Sequence, residues 1–426
     1  MPPSDAKTLP REVDVAVVGG GPAGLAAATR LRERGIGSVA VLDRESEAGG
    51  IPRHCGHYPF GMREFHRVLR GPDYARRLVA RAESAGVDLY LSTTVVGIAP
   101  GPRLTLSTNA GKEDLAARRV LLATGVRETS RAARFIGGDR PPGVITTGAL
   151  QSMVYLHGKR PFASPVILGS ELVSFSAILT CRHAGIRPAA MVEPGARVTA
   201  RQIAEALPRL FGIPLHLETE LAAIHGRERV EGVTLRRADG HEWTVETDGV
   251  IVTGAFTPEA TLARLSHLAL DVTGDGGSGG PIVDQFGRCS DPAFFAAGNL
   301  LRPVETAGWS WREGVAAGDV LADSLAGRLP HAERFVAVTA GHPAIRLALP
   351  QHLALPSSSK GPGGMAHIQL RLARAVRGGL TLSDGEQILW AREIDGLPER
   401  RILVPLAGIA GKIRGNHLIL SIAERA

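Results

Sequence analysis

A short apolar strand, Asp14–Val18 (DVAVV), runs directly into GGGPAGLAAATRLRERG, and a second strand, SVAVLDRE, follows and stops near Asp43. Gly19, Gly21 and Gly24 fall at GxGxxG spacing between the strand and the helix. Few patterns restrict a fold more. The first glycine permits the tight turn, the second lets backbone approach a pyrophosphate, and the third lets helix and strand lie close. The helix start offers N–H groups and partial positive charge to phosphates. Asp43 lies nineteen residues beyond Gly24, where a carboxylate accepts from ribose hydroxyls. Strand, turn, helix, strand and acid in this register predict a βαβ nucleotide-binding unit. Gly19, Gly21, Pro22, Ala23, Gly24, Asp43 and Arg44 are its candidate site residues.

A second opening of similar outline starts at Pro165: PVILGSELVSFSAILTCRHAGIRPAAMVEP. Gly169 stands at the first glycine, Glu171 at the second and Ser174 at the third. Serine is small enough for its place. Glutamate is not neutral, because it adds a side chain and a negative charge where a diphosphate must come close. Its carboxylate is expected in the first helical turn, satisfying the dipole that would otherwise attract phosphate. Glu193 remains placed for an adenine ribose. This unit is therefore expected to keep the fold, to have lost NAD(P) binding, and to be free to serve as a docking surface.

Three further strand ends, VLLATGVRE, GVIVTGAFTPE and SDPAFFAAGNLLRP, and a helix, ETAGWSWREGVAAGDVLADSL, follow in order. The succession resembles the two-dinucleotide-binding-domain flavoproteins, the superfamily of pyridine nucleotide–disulfide oxidoreductases, over roughly residues 12–330. The resemblance implies FAD in the first unit and adds Gly50, Ala123, Thr124, Gly125, Gly298, Asn299, Thr306 and Ala307 to its site. Asn299 stands where the family usually carries Asp, so it would hydrogen-bond through an uncharged amide. The last helix is implied to start at the pyrimidine edge of the flavin, with Trp309 and Trp311 either shielding the ring or simply packing.

Beyond Asp43 and the Gly49-Gly50 pair, the disulfide reductases place a redox cysteine pair. Here the loop reads GGIPRHCGHYPFGMREFHRVLRGPDYARRL, with Cys55 alone. Its pattern resembles flavin subunits found with bacterial glycerol-3-phosphate-type and opine, sarcosine or amino-acid dehydrogenases. That narrower likeness implies partner subunits, a second flavoprotein and/or a ferredoxin-like 2Fe-2S protein. Cys55, flanked by His54 and His57, is a candidate low-pKa thiol, and His57 a candidate general base. The alternative is a loop that covers the flavin without chemistry. Arg53 and Arg63 can bind an anionic substrate. No metal is expected, since the cramped His54–His57 spacing supplies no fourth ligand.

The length, 426 residues at 44% hydrophobic content, allows two or three cored domains. Three dispersed cysteines, Cys55, Cys181 and Cys289, exclude a disulfide framework or a self-contained iron–sulfur cluster. The net charge of +7 is spread among interleaved acids, which argues against nucleic acid as a partner. A polar start and the lack of long apolar runs predict a cytoplasmic chain without a transmembrane segment, with peripheral membrane attachment through a partner left open.

The expected class is α/β. An FAD-binding domain (1–135 and 256–335) carries an inserted second Rossmann-like domain (136–255), followed by a linker (336–366) and a small C-terminal β module (367–426). The functional expectation is an FAD-dependent oxidoreductase, a dehydrogenase subunit oxidising a small hydroxy or amino compound and passing electrons to a partner. The alternatives are a stand-alone NAD(P)H-dependent flavin reductase and a silent FAD-binding scaffold.

Overall fold

A computed structural model of the chain describes residues 8–200, 205–272, 277–303, 305–356 and 364–425. The first sheet opens with β1 (Glu12–Val18), β2 (Val39–Leu42) and β3 (Asp88–Tyr90) and continues through β4 (Thr94–Ala99), β5 (Arg103–Thr108) and β6 (Gly111–Leu122). Its order is β3-β2-β1-β6-β5-β4, parallel around β1 and antiparallel from β4 to β6. Val15, Ala16 and Val17 are fully buried. A strand covered on both faces reads as an unbroken apolar run, which is why DVAVV shows no alternation. Helix α1 (Pro22–Glu33) begins with proline in its first turn, where a missing N–H is harmless. Helix α2 (Gly71–Ser84) follows the long loop.

The chain leaves this sheet on β7 (Val126–Glu128) and passes through β8 (Gly137–Gly138) into β9 (Val144–Thr146) and α3 (Thr147–Gln151), extended by a π turn, Ser152–Leu156. Then come β10 (Val166–Leu168), α4 (Leu172–His183), β11 (Ala190–Val192), α5 (Ala206–Leu210) and β12 (Leu215–His216). Next are β13 (Thr219–His225), β14 (Gly232–Arg237), β15 (Glu242–Glu246) and β16 (Val250–Val252). One sheet runs β12-β11-β10-β16-β9, all parallel, and a smaller one runs β15-β14-β13-β8. The return strand, β17 (Phe256–Pro258), pairs antiparallel with β7, so a two-stranded ribbon joins the two nucleotide-type units.

After α6 (Thr261–Arg264), strand β18 (Phe294–Ala296) rejoins the first sheet beside β6, and α7 (Ala307–Leu325) packs on α1. Glycines permit that close helix contact. A Cβ on Gly314 would lie 2.1 Å from the Ala23 carbonyl oxygen, and one on Gly318 2.8 Å from that of Ala27.

The remaining strands are β19 (Arg334–Ala340), β20 (Ile345–Leu349), β21 (His352–Leu355), β22 (His367–Leu372), β23 (Val376–Ser383), β24 (Ile388–Gly396), β25 (Ile402–Pro405) and β26 (His417–Glu424). They form sheets β21-β19-β26-β23-β24 and β20-β22-β25 around a shared apolar core. The expected linker, 336–366, is corrected by this arrangement. The Pro-, Ser- and Gly-rich run suggested a tether, but Val336, Val338, Ile345, Leu353 and Leu355 point into the core of the β module. Part of that run, 357–363, lies outside the described residues. The module is also fastened to the first unit. Gln285 exchanges two bonds of 2.8 Å with the Ala354 backbone, and Gln369 donates to Glu305 at 3.0 Å. Among the described residues no helix is long and apolar enough to cross a membrane.

Candidate functional site

The first glycine turn is shaped by backbone crowding on one side and open space on the other. Gly19 has φ +109°, and a Cβ there would sit 2.5 Å from the Ala123 carbonyl oxygen. One on Gly24 would sit 1.9 Å from the Gly19 carbonyl oxygen. Gly50, at φ +63°, is pressed against Gly21. In contrast, a Cβ on Gly21 would meet only Gly50 Cα at 4.0 Å, and one on Gly125 would meet nothing within 4 Å. The cradle is therefore open where a diphosphate must enter. Gly21 caps α1 without a side-chain bond and the first turn carries no acid, so the helix N–H groups remain free for phosphate. These residues fit the diphosphate of a bound dinucleotide.

Asp43 accepts from Gly20 N at 2.7 Å and from Glu45 N at 2.9 Å, which fixes its carboxylate beneath the turn with lone pairs to spare for ribose hydroxyls. Burial raises its pKa, while the bonds from Glu45 and Gly20 oppose the shift. Arg44 is exposed beside Glu45. Thr124 donates to the Glu259 carbonyl at 2.7 Å, and Glu259 N donates to Gly125 O at 2.9 Å, pinning the ATG turn to the return ribbon. Asn299 is more committed than expected. Its Oδ1 accepts from Glu305 N at 3.0 Å and its Nδ2 donates to Glu305 O at 3.1 Å. The side chain thus clamps the loop before α7, leaving one amide N–H for a cofactor. Thr306 caps α7 without a side-chain bond, and Ala307 begins a first turn that holds no acid.

The lone cysteine lies in surroundings unlike those of the candidate low-pKa thiol and like those of a loop without chemistry. Cys55 is buried, with Sγ 3.4 Å from Ile51 O and 3.5 Å from Gln151 Oε1. Burial, with the charge of Glu128 nearby, pushes the thiol up to about 12, the reverse of a low-pKa nucleophile. The surrounding loop packs on the second unit. A Cβ on Gly56 would lie 2.1 Å from the Tyr155 ring, and His54 bonds to the Gly148 backbone. His57 has its pKa lowered by burial, opposed by its bond to Tyr58. Its Nδ1 is 3.0 Å from the Tyr58 carbonyl, which can only accept, so Nδ1 carries the proton and Nε2 remains the basic atom. Among the described residues no group of three or more His, Cys, Asp or Glu can hold a metal.

Around the second turn, acidic and basic side chains bond to the end of β16. Glu171 caps α4, its carbonyl accepting from Ser174 N at 2.9 Å, but its side chain makes no bond to that helix. The carboxylate instead crosses to accept from Ala255 N at 2.7 Å, and it fills the space where a Cβ on Gly254 would lie. Sequence reasoning missed its neighbours. Glu128 accepts from Gly148 N at 2.7 Å and Gly254 N at 3.1 Å, and Arg134 donates to Thr253 O and Gly254 O at 2.6 Å each. Glu193, the expected ribose acid, accepts from Ser170 Oγ and, at 2.8 Å, from Gly195 N. The signal that could have found Glu128 and Arg134 is their position on and just after β7, beside the crossing to the second unit.

A paired set of parallel-sheet units joined by a two-stranded ribbon, with an open glycine cradle in the first, defines an oxidoreductase of the flavoprotein type. The family model for pyridine nucleotide-disulphide oxidoreductases matches residues 13–314, and the chain belongs to that family. It is 28% identical over 185 residues to an opine oxidase subunit of Rhizobium meliloti strain 1021, covering 43% of this chain and 39% of that one. It is 29% identical over 296 residues to hydrogen cyanide synthase subunit HcnB of Pseudomonas aeruginosa, covering 61% and 60%. A ferredoxin–NADP reductase of Salinispora arenicola is 27% identical over 300 residues, covering 68% and 86%. The matched region thus spans less than two thirds of the two subunit-named relatives. Thioredoxin reductase of T. acidophilum superposes with a TM-score of 0.62 at 22% identity, covering 74% of this chain and 99% of that one, which shows a shared fold.

Proposed function

We propose that the chain is an FAD-dependent dehydrogenase subunit that oxidises a small hydroxy or amino compound and passes the electrons to a partner protein rather than to NAD(P). The observation that carries this reading is Glu171. It puts a carboxylate at the second-glycine position of the turn that a nicotinamide dinucleotide would need, held against the end of β16 by a bond from Ala255 N. Buried Cys55, with no second cysteine in its loop, removes dithiol exchange as a route for electrons. The relatives named as subunits favour a multi-component enzyme, containing a second flavoprotein and/or a ferredoxin-like 2Fe-2S protein.

FAD would be held by Gly19, Gly21, Pro22, Ala23, Gly24, Asp43, Arg44, Gly50, Ala123, Thr124, Gly125, Gly298, Asn299, Thr306 and Ala307, and when bound it supplies two-electron redox chemistry. The chain's own part is positional. The α1 start neutralises phosphate charge, Asp43 anchors ribose, and the uncapped start of α7 offers N–H groups to anionic density at its mouth. His57 Nε2 is the basic atom available in the loop for taking a substrate proton.

The test is anaerobic reduction of the FAD-loaded protein, alone and with copurifying partners, by NADH, NADPH and a panel of hydroxy and amino acids. Bleaching by an organic acid and not by either pyridine nucleotide is the expected result. Rapid bleaching by NADH or NADPH at micromolar concentration would instead establish a self-sufficient reductase. The ferredoxin–NADP reductase relative keeps that second reading specific. No bleaching by any donor would leave a scaffold.

A further inference from the structure

At the start of α7, one indole ring gathers three guanidiniums from three parts of the chain. Arg401, from the β module, lies 3.7 Å from the centroid of the Trp309 ring; Arg63, from the long loop, lies at 4.5 Å; Arg312, from α7 itself, lies at 5.5 Å. A guanidinium held against an aromatic face keeps its N–H fork directed outward in its own plane, suited to carboxylate oxygens. The other charges here are largely used. Arg302 pairs with Glu313, and Arg371 pairs with Glu305 at 2.8 Å. Arg401 reaches Glu305 only at 3.7 Å, and among the described residues Arg63 and Arg312 make no ion pair. Glu64 takes a 2.6 Å bond from Tyr74 and lies beside Gly308. Five guanidiniums therefore face three carboxylates, an excess of two positive charges. Arg302, Arg371 and Glu305 are buried or nearly so and form a floor beneath the exposed Arg63 and Arg312.

We infer that Trp309, Arg63, Arg312 and Arg401 form a binding site for a small dicarboxylate. The inference rests on the dehydrogenase reading and gives its substrate a class, an amino or hydroxy acid with two carboxylate groups. It also assigns the β module a task. Arg401 enters the site from the turn before β25, beside the buried Gln369–Glu305–Arg371 network, so the module forms one wall. The excess of two charges matches a dianion. The partly buried indole favours a small ligand over a flat macromolecular contact.

The experiment is calorimetric titration of the full FAD-loaded chain with malonate, acetate and inorganic phosphate. Malonate serves as a probe that cannot be oxidised by this chemistry, so binding is read separately from flavin reduction. Malonate should bind at least about tenfold more tightly than acetate or phosphate. Arg63→Gln and Arg401→Gln should each weaken it at least about tenfold, as expected for loss of a charge-assisted pair. Arg63 is exposed and has no ion pair to lose among the described residues, so its variant should give up only the contact with the Trp309 ring, lower the melting temperature slightly and separate binding from folding. Malonate binding no tighter than acetate, phosphate binding as tight as malonate, or wild-type affinity in both variants would overturn the site. Loss of partner-protein binding in Arg63→Gln with malonate affinity unchanged would also overturn it, in favour of a protein-docking patch. If an organic acid bleaches the flavin but malonate fails to bind, this site falls and the dehydrogenase reading stands. Malonate binding without any organic donor leaves the anion site and removes the dehydrogenase.

Discussion

Replacing Glu171 with glutamine and with glycine separates its charge from its bulk. Glutamine keeps an oxygen able to accept from Ala255 N, now 2.7 Å from the carboxylate, but carries no charge. Glycine removes both. One unit charge opposite one phosphate charge at about 5 Å, in an effective dielectric of about 20, costs about 3 kcal/mol, or a factor of roughly a hundred in affinity. If charge is the barrier, Glu171→Gln should bind NADH tens to a hundredfold more tightly than the wild type. If bulk adds to it, Glu171→Gly should gain more. Losing the bond to Ala255 N has an opposite effect on stability. A hydrogen bond from backbone to a charged acceptor is worth about 1.5–3 kcal/mol, so Glu171→Gly should melt lower than Glu171→Gln. The assay is NADH binding followed by fluorescence or calorimetry on the FAD-loaded protein, with melting curves alongside. If both variants fold normally and bind NADH no better than the wild type, Glu171 is not the barrier and the reasoning fails.

Other consequences follow from the same geometry. Cys55 should resist iodoacetamide at pH 8 in the folded protein, and Cys55→Ser should retain FAD and most activity; rapid alkylation or complete loss of activity with FAD bound would restore a catalytic thiol. A thiol whose pKa is raised on folding stabilises the fold below its unfolded value of about 8.5. Because Cys55 and Cys181 are both pushed up to about 12, stability should fall progressively as pH rises from about 9 towards 12, and flat melting temperatures across that range would contradict it. Gly56→Ala drives a methyl group into the Tyr155 ring and should loosen the long loop from the second unit, seen as faster proteolysis within residues 51–70 with the first glycine cradle still holding FAD. Asp384 accepts from Arg414 N at 3.0 Å and from Gln387 N and Glu386 N, bonds that hold its pKa down at about 2. That stabilisation is present above the ordinary aspartate pKa of about 3.9 and is lost as pH falls towards 2. Asp384→Ala should therefore lower the melting temperature at pH 7 more than at pH 2.5.

Much of the architecture was already written in local patterns. DVAVV before GxGxxG and Asp43 after it leave a βαβ unit as the arrangement that buries the strand and spaces the glycines. The second unit was equally visible from PVILGS and the strand ending at Glu193. The clean alternation of HIQLRLA and HLILSIA revealed the β module. Its first three strands were hidden by proline and glycine at their ends, which read as a tether until long-range pairing of β19 with β26 was available.

What sequence spacing alone could not decide was direction and company. Cys55 next to two histidines has the composition of an activated thiol. Its pKa, however, depends on burial against the second unit and on the charge of Glu128, far along the chain. Glu171 was recognisable as an obstruction, but a side chain at a helix start can bond to its own turn or across to a neighbour. Only the placement of Ala255 at the end of the ribbon selected the second. The gathering of Arg63, Arg312 and Arg401 on Trp309 was beyond any local reading, because each comes from a different segment. Sequence determines which charges exist and how close neighbours are spaced. Electrostatics and burial act through space, so their outcome is settled by the tertiary fold.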